Sequence, residues 1–288
     1  MLIILVKRYH LGTEKVMYTQ DIKLRGENFM ENKSKSSVVY QGKIPGRVKY
    51  SFAFGALGKD LIYGMIATFS MIYFTDIIKV APAFIGTMFF VAKIWDAFND
   101  LFMGMLVDNT RSRYGKFIPW LVAGTLINAF VFVIVFTDFH LTGVNLCIFA
   151  SVIYVLWGMT YTIMDIPYWS VIPNLTSDPG EREKASVLPR IFASIGQSLI
   201  IAGFGVQIIK GLGGNYIGYH RFALIIAATF IFTMAVCVLN FPKVQTSDEK
   251  KEKMKFRDIF TVINFVAKNP QACVWDESHI LLDKYLEK

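Results

Sequence analysis

The sequence predicts an all-α membrane protein with six transmembrane helices. More than half of its 288 residues are hydrophobic (54%), 15% are aromatic and the mean hydropathy is +0.43. Such a composition is typical of polytopic membrane proteins and excludes an ordinary soluble domain. The net charge of +8 is therefore attributed to basic residues in cytoplasmic loops rather than to a surface that binds nucleic acid.

The apolar stretches and the basic loops between them set the predicted topology. Lys and Arg are concentrated before the first span, in the second and fourth loops and after the sixth span. The positive-inside rule then places both termini in the cytoplasm. The predicted spans cover approximately residues 50–74, 82–105, 117–136, 152–169, 187–209 and 222–241.

Both ends of the chain differ in composition from the six-helix bundle at residues 46–242. Residues 1–45 are polar and predict a disordered or non-native extension. Met30 begins a segment that reads like a bacterial N-terminus, so Met1 and Met30 both stay open as the true start. Residues 243–288 predict a charged cytoplasmic loop followed by a truncated or fused tail.

The first span combines small residues with two charges. Gly55, Gly58 and Gly64 allow neighbouring helices to approach closely. Lys59 and Asp60 lie between them, and charges within a span are costly unless they serve a function.

The second span carries an oxygen-rich cluster. Asp96, Asn99 and Asp100 follow Lys93 at helical spacing and therefore share one face. Carboxylate and amide oxygens are the ligands that hard cations prefer. The alternative is that Lys93 merely neutralises Asp96.

The fourth span carries an acid with aromatic side chains on the same stripe. Tyr161, Asp165 and Trp169 are spaced i, i+4, i+8; Thr162 lies beside the stripe, and Pro167 suggests a kink. An acid and aromatic rings facing a wet cavity can bind a polar, flat molecule such as a sugar. On spacing alone, an acid that snorkels to the membrane interface is an equal alternative.

Several other functions are disfavoured by the same sequence. The three cysteines are scattered, and the four histidines lack the spacing of metal ligands. Asp96 and Asp100 as a catalytic acid pair would lack a nucleophile or water-activating histidine, so an intramembrane enzyme is not expected. No cofactor and no metal beyond a coupling cation are predicted.

Five segments together resemble one family of transporters. The chain from about residue 46 to 268 is similar to the N-terminal six-helix half of the glycoside–pentoside–hexuronide:cation symporters, in the melibiose-type branch of the major facilitator superfamily. The matching segments are GALGKD (55–60), AKIWDAFND (92–100), GMLVDNTRSRYGKFIPW (104–120), LWGMTYTIMDIPYWS (156–170) and PRIFASI (189–195).

The resemblance implies symport of melibiose or a related α-galactoside with Na⁺, Li⁺ or H⁺ across the bacterial cytoplasmic (plasma) membrane. It implies carboxylates that accept hydrogen bonds from the galactosyl hydroxyls, an arginine that bridges to the sugar and an aromatic ring that stacks on the sugar. The implied sugar-binding residues are Lys59, Asp60, Tyr161, Asp165, Trp169 and Arg190. The implied cation-binding residues are Asp96, Asn99, Asp100 and Thr162.

The chain departs from the family at several points. Leu101 follows Asp100 where the family usually has proline, and Lys93 replaces the more usual arginine. The family has twelve spans, whereas only six are predicted here, and an in-frame deletion that joined the first half to the tail would explain this. The alternative function is therefore a non-transporting fragment, active only with a C-terminal half or as a dimer.

Overall fold

The computed structural model describes residues 39, 40 and 42–242. Residues 1–38, which include most of the predicted extension, and the predicted tail at 243–288 lie outside the described residues, as does residue 41. The described part is built from α-helical and π-helical segments, with one isolated β-bridge between Tyr40 and Thr176.

The helices follow the predicted spans in order. Two of them continue as π-helical segments, at Tyr73–Ile77 and Ile195–Gly203, and Ile172–Leu175 and Gly205–Gly211 are short helices. The long helices of the described part are α1 (Gly46–Ile72), α2 (Pro82–Asn109), α3 (Ile118–Val135), α4 (Gly143–Ser170), α5 (Pro179–Ser194) and α6 (Asn215–Leu239).

The described helices confirm an all-helical, multi-pass membrane protein. Five of the described helical segments are long and apolar enough to cross a bilayer, and they are Gly46–Ile77, Ile118–Val135, Gly143–Leu175, Pro179–Gly203 and Asn215–Leu239. Helix α2 has 28 residues, but its apolar sequence is interrupted by Lys93, Asp96 and Asp100. Six membrane spans, with α2 among them, therefore remain a prediction.

Several predicted boundaries were wrong, for local reasons. Helix α4 begins at Gly143 rather than near residue 152, because the apolar stretch before 152 is helical as well. Helix α5 begins inside the predicted loop, where the Asp178 carboxylate accepts the Gly180 N–H at 2.9 Å and Pro179 occupies the first turn. Helix α2 runs without interruption through Leu101, so the missing proline leaves it continuous.

Helix α1 packs most extensively on α6, and glycines make this possible. A Cβ atom on Gly58 would overlap the Thr233 hydroxyl and lie 2.9 Å from the Phe230 Cα atom. A Cβ atom on Gly55 would lie 2.9 Å from the Cys237 Cβ atom. The predicted role of small residues in close helix packing is confirmed at these two positions.

Helices α3 and α4 form a second close pair, and α2 packs on the other side of α4. A Cβ atom on Gly124 would lie 2.8 Å from the Met164 Cβ atom, so the two backbones meet directly. Helix α2 leaves large side chains such as Phe90 and Phe98 exposed. The helix that bears the predicted cation ligands therefore lies at the flank of the bundle.

The segment before α1 is held against the connection between α4 and α5. Val39 N–H donates to the Asn174 carbonyl at 3.1 Å, and Tyr40 N–H donates to the Leu175 carbonyl at 2.9 Å. Ile44 N–H donates to the buried Glu181 carboxylate at 3.2 Å, and Lys49 of α1 pairs with the same group. The first turns of α1 and α5 are thereby joined.

Candidate functional site

Lys59 is the centre of the first polar cluster. Its neighbour Gly58 packs against α6, which carries the lysine into the bundle and leaves only 2% of the residue exposed. The Lys59 Nζ atom lies 2.8 Å from Asp165 Oδ1 and 3.3 Å from Asp60 Oδ2. It also donates to the Tyr161 hydroxyl at 3.2 Å. One ammonium group thus joins α1 to the acid of α4.

Aromatic rings surround this ammonium group. The Lys59 Nζ atom lies 5.2 Å from the Trp169 ring centre, 5.5 Å from Tyr168 and 5.7 Å from Tyr161. Tyr168 is fixed by its hydroxyl, which donates to the Phe52 carbonyl at 2.5 Å, and by stacking on the Phe52 ring at 4.1 Å. Ring faces attract cations within this range, so the buried charge has both ionic and π partners.

The predicted stripe on α4 therefore forms one cluster, because Tyr161, Asp165 and Trp169 all face Lys59. The Asp60 and Asp165 side chains keep 18% and 28% of their surface exposed, so each can accept hydrogen bonds from a ligand. Partly open carboxylates beside a tryptophan ring can hold hydroxyl groups while the ring covers an apolar face. This is the chemistry needed to bind a sugar.

A second polar cluster joins α4 to α2. The Thr162 hydroxyl lies 3.0 Å from Asp100 Oδ1 and 3.1 Å from the Gly158 carbonyl oxygen. A Cβ atom on Gly158 would lie 2.7 Å from Asp96 Oδ1, so this glycine leaves room for the Asp96 carboxylate. Hydroxyl, carbonyl and carboxylate oxygens from two helices thus converge.

Asp96 borders the second cluster through Gly158, and Asn99 lies one turn from Asp96 on the same helix. The Lys93 Nζ atom lies 3.2 Å from Asp96 Oδ2, as expected if Lys93 neutralises Asp96. The other carboxylate oxygen, Asp96 Oδ1, faces Gly158. The Asn99 amide nitrogen is buried and has no hydrogen-bond partner in the described part of the chain. Residues 39, 40 and 42–242 contain no group of three His, Cys, Asp or Glu side chains placed to hold a metal ion. Oxygen donors of this kind are the ligands that hard cations prefer.

The two clusters meet at consecutive residues of α4. Tyr161 faces Lys59 of α1, whereas its neighbour Thr162 faces Asp100 of α2. A change in one cluster that rotates or shifts α4 must therefore move the other.

Arg190 lies apart from both clusters. It is exposed on α5 and lines an open groove of about 600 Å³ together with Ser194 and Ser198. Among the described residues, it forms no ion pair with Asp60 or Asp165. The buried face of α5 is formed by Ala185 and Pro189, which turns the adjacent Arg190 outward. Its predicted contact with the sugar thus remains a prediction.

Two aromatic residues beside the first cluster were missed in the sequence. The Tyr63 ring lies 5.7 Å from Tyr161 and 6.4 Å from Trp157, and Trp157 lies 5.6 Å from Tyr161. Tyr63 follows Lys59 by four residues, and Trp157 precedes Tyr161 by four. The same helical spacing that identified Tyr161 and Asp165 could have identified both.

Comparison with known proteins identifies the family to which the chain belongs. The sequence pattern of the family described as "MFS/sugar transport protein" matches residues 51–275. The lactose permease of Lactobacillus delbrueckii subsp. bulgaricus is 33% identical over 235 residues, which cover 75% of this chain and 37% of the permease.

Two further relatives match a similar region. The isoprimeverose transporter of Lactiplantibacillus pentosus is 28% identical over 75% of this chain and 46% of its own length. An inner membrane symporter of Escherichia coli is 29% identical over 66% of this chain and 41% of its own. The matched region thus covers less than half of each of these three relatives. Because the family pattern covers most of the sequence, the chain belongs to the MFS/sugar transport proteins, a family of transporters and not of enzymes.

Proposed function

We propose that this chain carries the sugar-binding and cation-binding sites of a symporter that takes up galactosides, with melibiose or a related α-galactoside as substrate. The observation that carries the proposal is that consecutive residues of α4 serve the two clusters. Tyr161 contacts Lys59 in the cluster suited to sugar, and Thr162 contacts Asp100 in the cluster suited to a cation.

The proposed sugar site consists of Lys59, Asp60, Tyr161, Asp165 and Trp169. Galactosyl hydroxyls donate to the two carboxylates, and the apolar face of the sugar stacks on Trp169. Lys59 pairs with both acids and fixes their positions. Arg190 joins the site in a conformation in which α5 turns this side chain inward. The galactoside assignment is supported by the similarity to a lactose permease.

The proposed cation site consists of Asp96, Asn99, Asp100 and Thr162, with Na⁺, Li⁺ or H⁺ as the coupling ion. A bound cation reduces the repulsion between the carboxylates of α2 and draws Thr162 toward them. Because Tyr161 moves with Thr162, cation binding favours the sugar site, and linkage requires the converse. Coupling is supported by the similarity to a bacterial symporter.

This function needs a particular membrane arrangement. In it, α2 is the second of six spans, both termini are cytoplasmic and the bundle moves as one half of an alternating-access transporter. A bacterial cytoplasmic membrane provides the cation gradient.

A second candidate function is ligand binding without transport. It is favoured by the exposure of Asp100 and Arg190 in the described bundle. In this case the chain binds galactoside and cation but transports only together with a second half-transporter or as a dimer.

One pair of measurements separates the two candidates. Uptake of labelled melibiose is measured with and without Na⁺ in cells that express only this chain, and binding of the same sugar is measured on the purified chain. Asp165→Asn and Asp100→Asn are the test variants, and Asp76→Asn changes an exposed acid outside both clusters. Cation-dependent uptake that only the first two variants abolish supports the symporter. Binding without uptake supports the second candidate, and the absence of both contradicts each.

A further inference from the structure

A buried amide connects α3 to α4 next to the proposed cation site. Asn128, in α3, is fully buried, and its amide nitrogen donates to the Trp157 carbonyl at 3.1 Å and to the Thr160 hydroxyl at 2.9 Å. The Thr160 hydroxyl itself donates to the Trp157 carbonyl at 3.0 Å. The Asn128 Oδ1 atom has no hydrogen-bond partner among the described residues, so the amide nitrogen makes both bonds. A buried amide nitrogen is costly unless it is hydrogen-bonded, so these two bonds favour one arrangement of the two helices.

The packing around Asn128 leaves little freedom for adjustment. Gly124 lies one turn earlier on α3, and a Cβ atom there would lie 2.8 Å from the Met164 Cβ atom. The helix backbones are therefore in contact on one side of the amide. A contact of this kind fixes the distance between the helices, whereas the hydrogen bonds of Asn128 fix the rotation of α4 about its own axis.

That rotation determines what α4 presents to α2. Successive helical residues differ by about 100°, so Gly158 and Thr162 both point roughly opposite to Thr160. With Thr160 held toward α3 by Asn128, Gly158 faces Asp96 and Thr162 faces Asp100. Rotation of α4 by a fraction of this angle would take the Thr162 hydroxyl out of hydrogen-bond reach.

We propose that Asn128 is a positioning residue for the cation site, although it touches neither carboxylate of α2. Its hydrogen bonds hold α4 in the rotation that directs Thr162 and Gly158 toward Asp100 and Asp96. The inference rests on the proposed cation coupling and commits to Na⁺ or Li⁺ as the ion. Loss of these hydrogen bonds lowers the affinity for the ion.

The test measures how Na⁺ and Li⁺ raise the thermal unfolding midpoint of the purified chain in detergent, relative to choline chloride. A ligand that binds only the native state raises this midpoint as its concentration passes the dissociation constant. Asn128→Leu keeps a similar volume, adds no charge and removes both donors, and Thr160→Val removes the hydroxyl. Thr125→Val is the matched control, because this buried hydroxyl donates only within α3, to the Leu121 carbonyl.

Because one or two neutral hydrogen bonds are lost, we expect Asn128→Leu and Thr160→Val to need about tenfold more cation for the same rise in the unfolding midpoint. The parent and Thr125→Val should respond at equal concentrations. A merely structural role would lower the midpoint in choline chloride and leave the cation concentration at half-effect unchanged.

The outcomes separate this inference from the function on which it rests. A parent chain that responds to neither Na⁺ nor Li⁺ would overturn alkali-cation coupling and this inference together. A responsive parent with unchanged half-effect concentrations in both variants would overturn this inference alone. If Asn128→Leu does not fold, Thr160→Val decides, because it removes a single hydroxyl and keeps nearly the same side-chain volume.

Discussion

Lys59 shares one positive charge between two carboxylates, and this arrangement leads to a prediction about stability. Lys59→Met would leave Asp60 and Asp165 close together without the ammonium group that pairs with both, so the free energy of unfolding should fall. Breaking a buried ion pair costs about 3–5 kcal/mol. Because both acids are partly exposed, solvent screening reduces the expected loss to about 1–3 kcal/mol. The measurement is the thermal unfolding midpoint of the purified chain in detergent.

The second substitution Asp165→Asn provides the control for this prediction. Removal of the acid nearest to the ammonium group should restore part of the stability that Lys59→Met loses, since the pair interacts directly. Lys210→Met changes an exposed lysine and should leave the midpoint within a degree or two of the parent. Equal midpoints for the parent and Lys59→Met would contradict the central role of Lys59.

Thr162 allows a sharper test of the cation cluster, because its hydroxyl lies 3.0 Å from Asp100 Oδ1. Thr162→Val keeps the branched shape and removes the hydroxyl. Hydrogen bonds to charged groups contribute about 1.5–3 kcal/mol, so the cation concentration for half-maximal stabilisation should rise at least tenfold. Thr162→Ser retains the hydroxyl and should resemble the parent. A Thr162→Val chain that titrates like the parent would remove Thr162 from the site.

The individual residues show what helical spacing can and cannot predict. Tyr161, Asp165 and Trp169 were placed on one stripe by spacing alone, and the structure directs all three toward Lys59. Spacing within one helix does not specify which neighbouring helix that stripe meets, so Lys59 was not predicted to be central. For the same reason, the outward position of Arg190 depends on which face of α5 packs and could not be read from α5 alone.

At the scale of elements, the contact between α1 and α6 depends on the absence of a side chain at Gly58. Gly58→Ala should lower the unfolding midpoint, because its Cβ atom would lie 2.9 Å from the Phe230 backbone and would overlap Thr233. Overpacking of this kind costs about 1–3 kcal/mol. Gly86→Ala in α2 is the matched control, since a Cβ atom there meets nothing within 4 Å. Equal stability of the two variants would show that the α1–α6 contact is looser than described.

The ends of the helices were less predictable than their existence. Apolar composition identified the core of each span, but the start of α5 depends on the Asp178 cap and on Pro179, which lie in a segment that is polar and charged. Hydropathy averages treat such a segment as a loop, whereas capping and backbone geometry make it helical. In α2 the opposite problem arises, because its charges lower the hydropathy of a helix that is long enough to span.

At the scale of the whole molecule, the described bundle places two unlike polar clusters against neighbouring turns of α4. Helix α1 supplies Lys59 and Asp60 to one cluster, and α2 supplies Asp96 and Asp100 to the other. This arrangement requires α2 to lie alongside α4, where Asp96 faces Gly158 and Asp100 contacts Thr162. The position of α2 in the membrane therefore decides whether both proposed sites can exist in one bundle.

The membrane position of α2 can be tested directly. Its 28 residues give a helix about 42 Å long, which is enough to cross the hydrocarbon core. If α2 spans the membrane, Lys79 before it and Arg111 after it lie on opposite sides. With Cys147, Cys237 and Cys273 replaced by serine, Lys79→Cys should react with a membrane-impermeant maleimide in intact cells, whereas Arg111→Cys should react only after the membrane is opened. Reaction of both cysteines from the same side would place α2 outside the bilayer core and would contradict a six-span bundle with cytoplasmic termini.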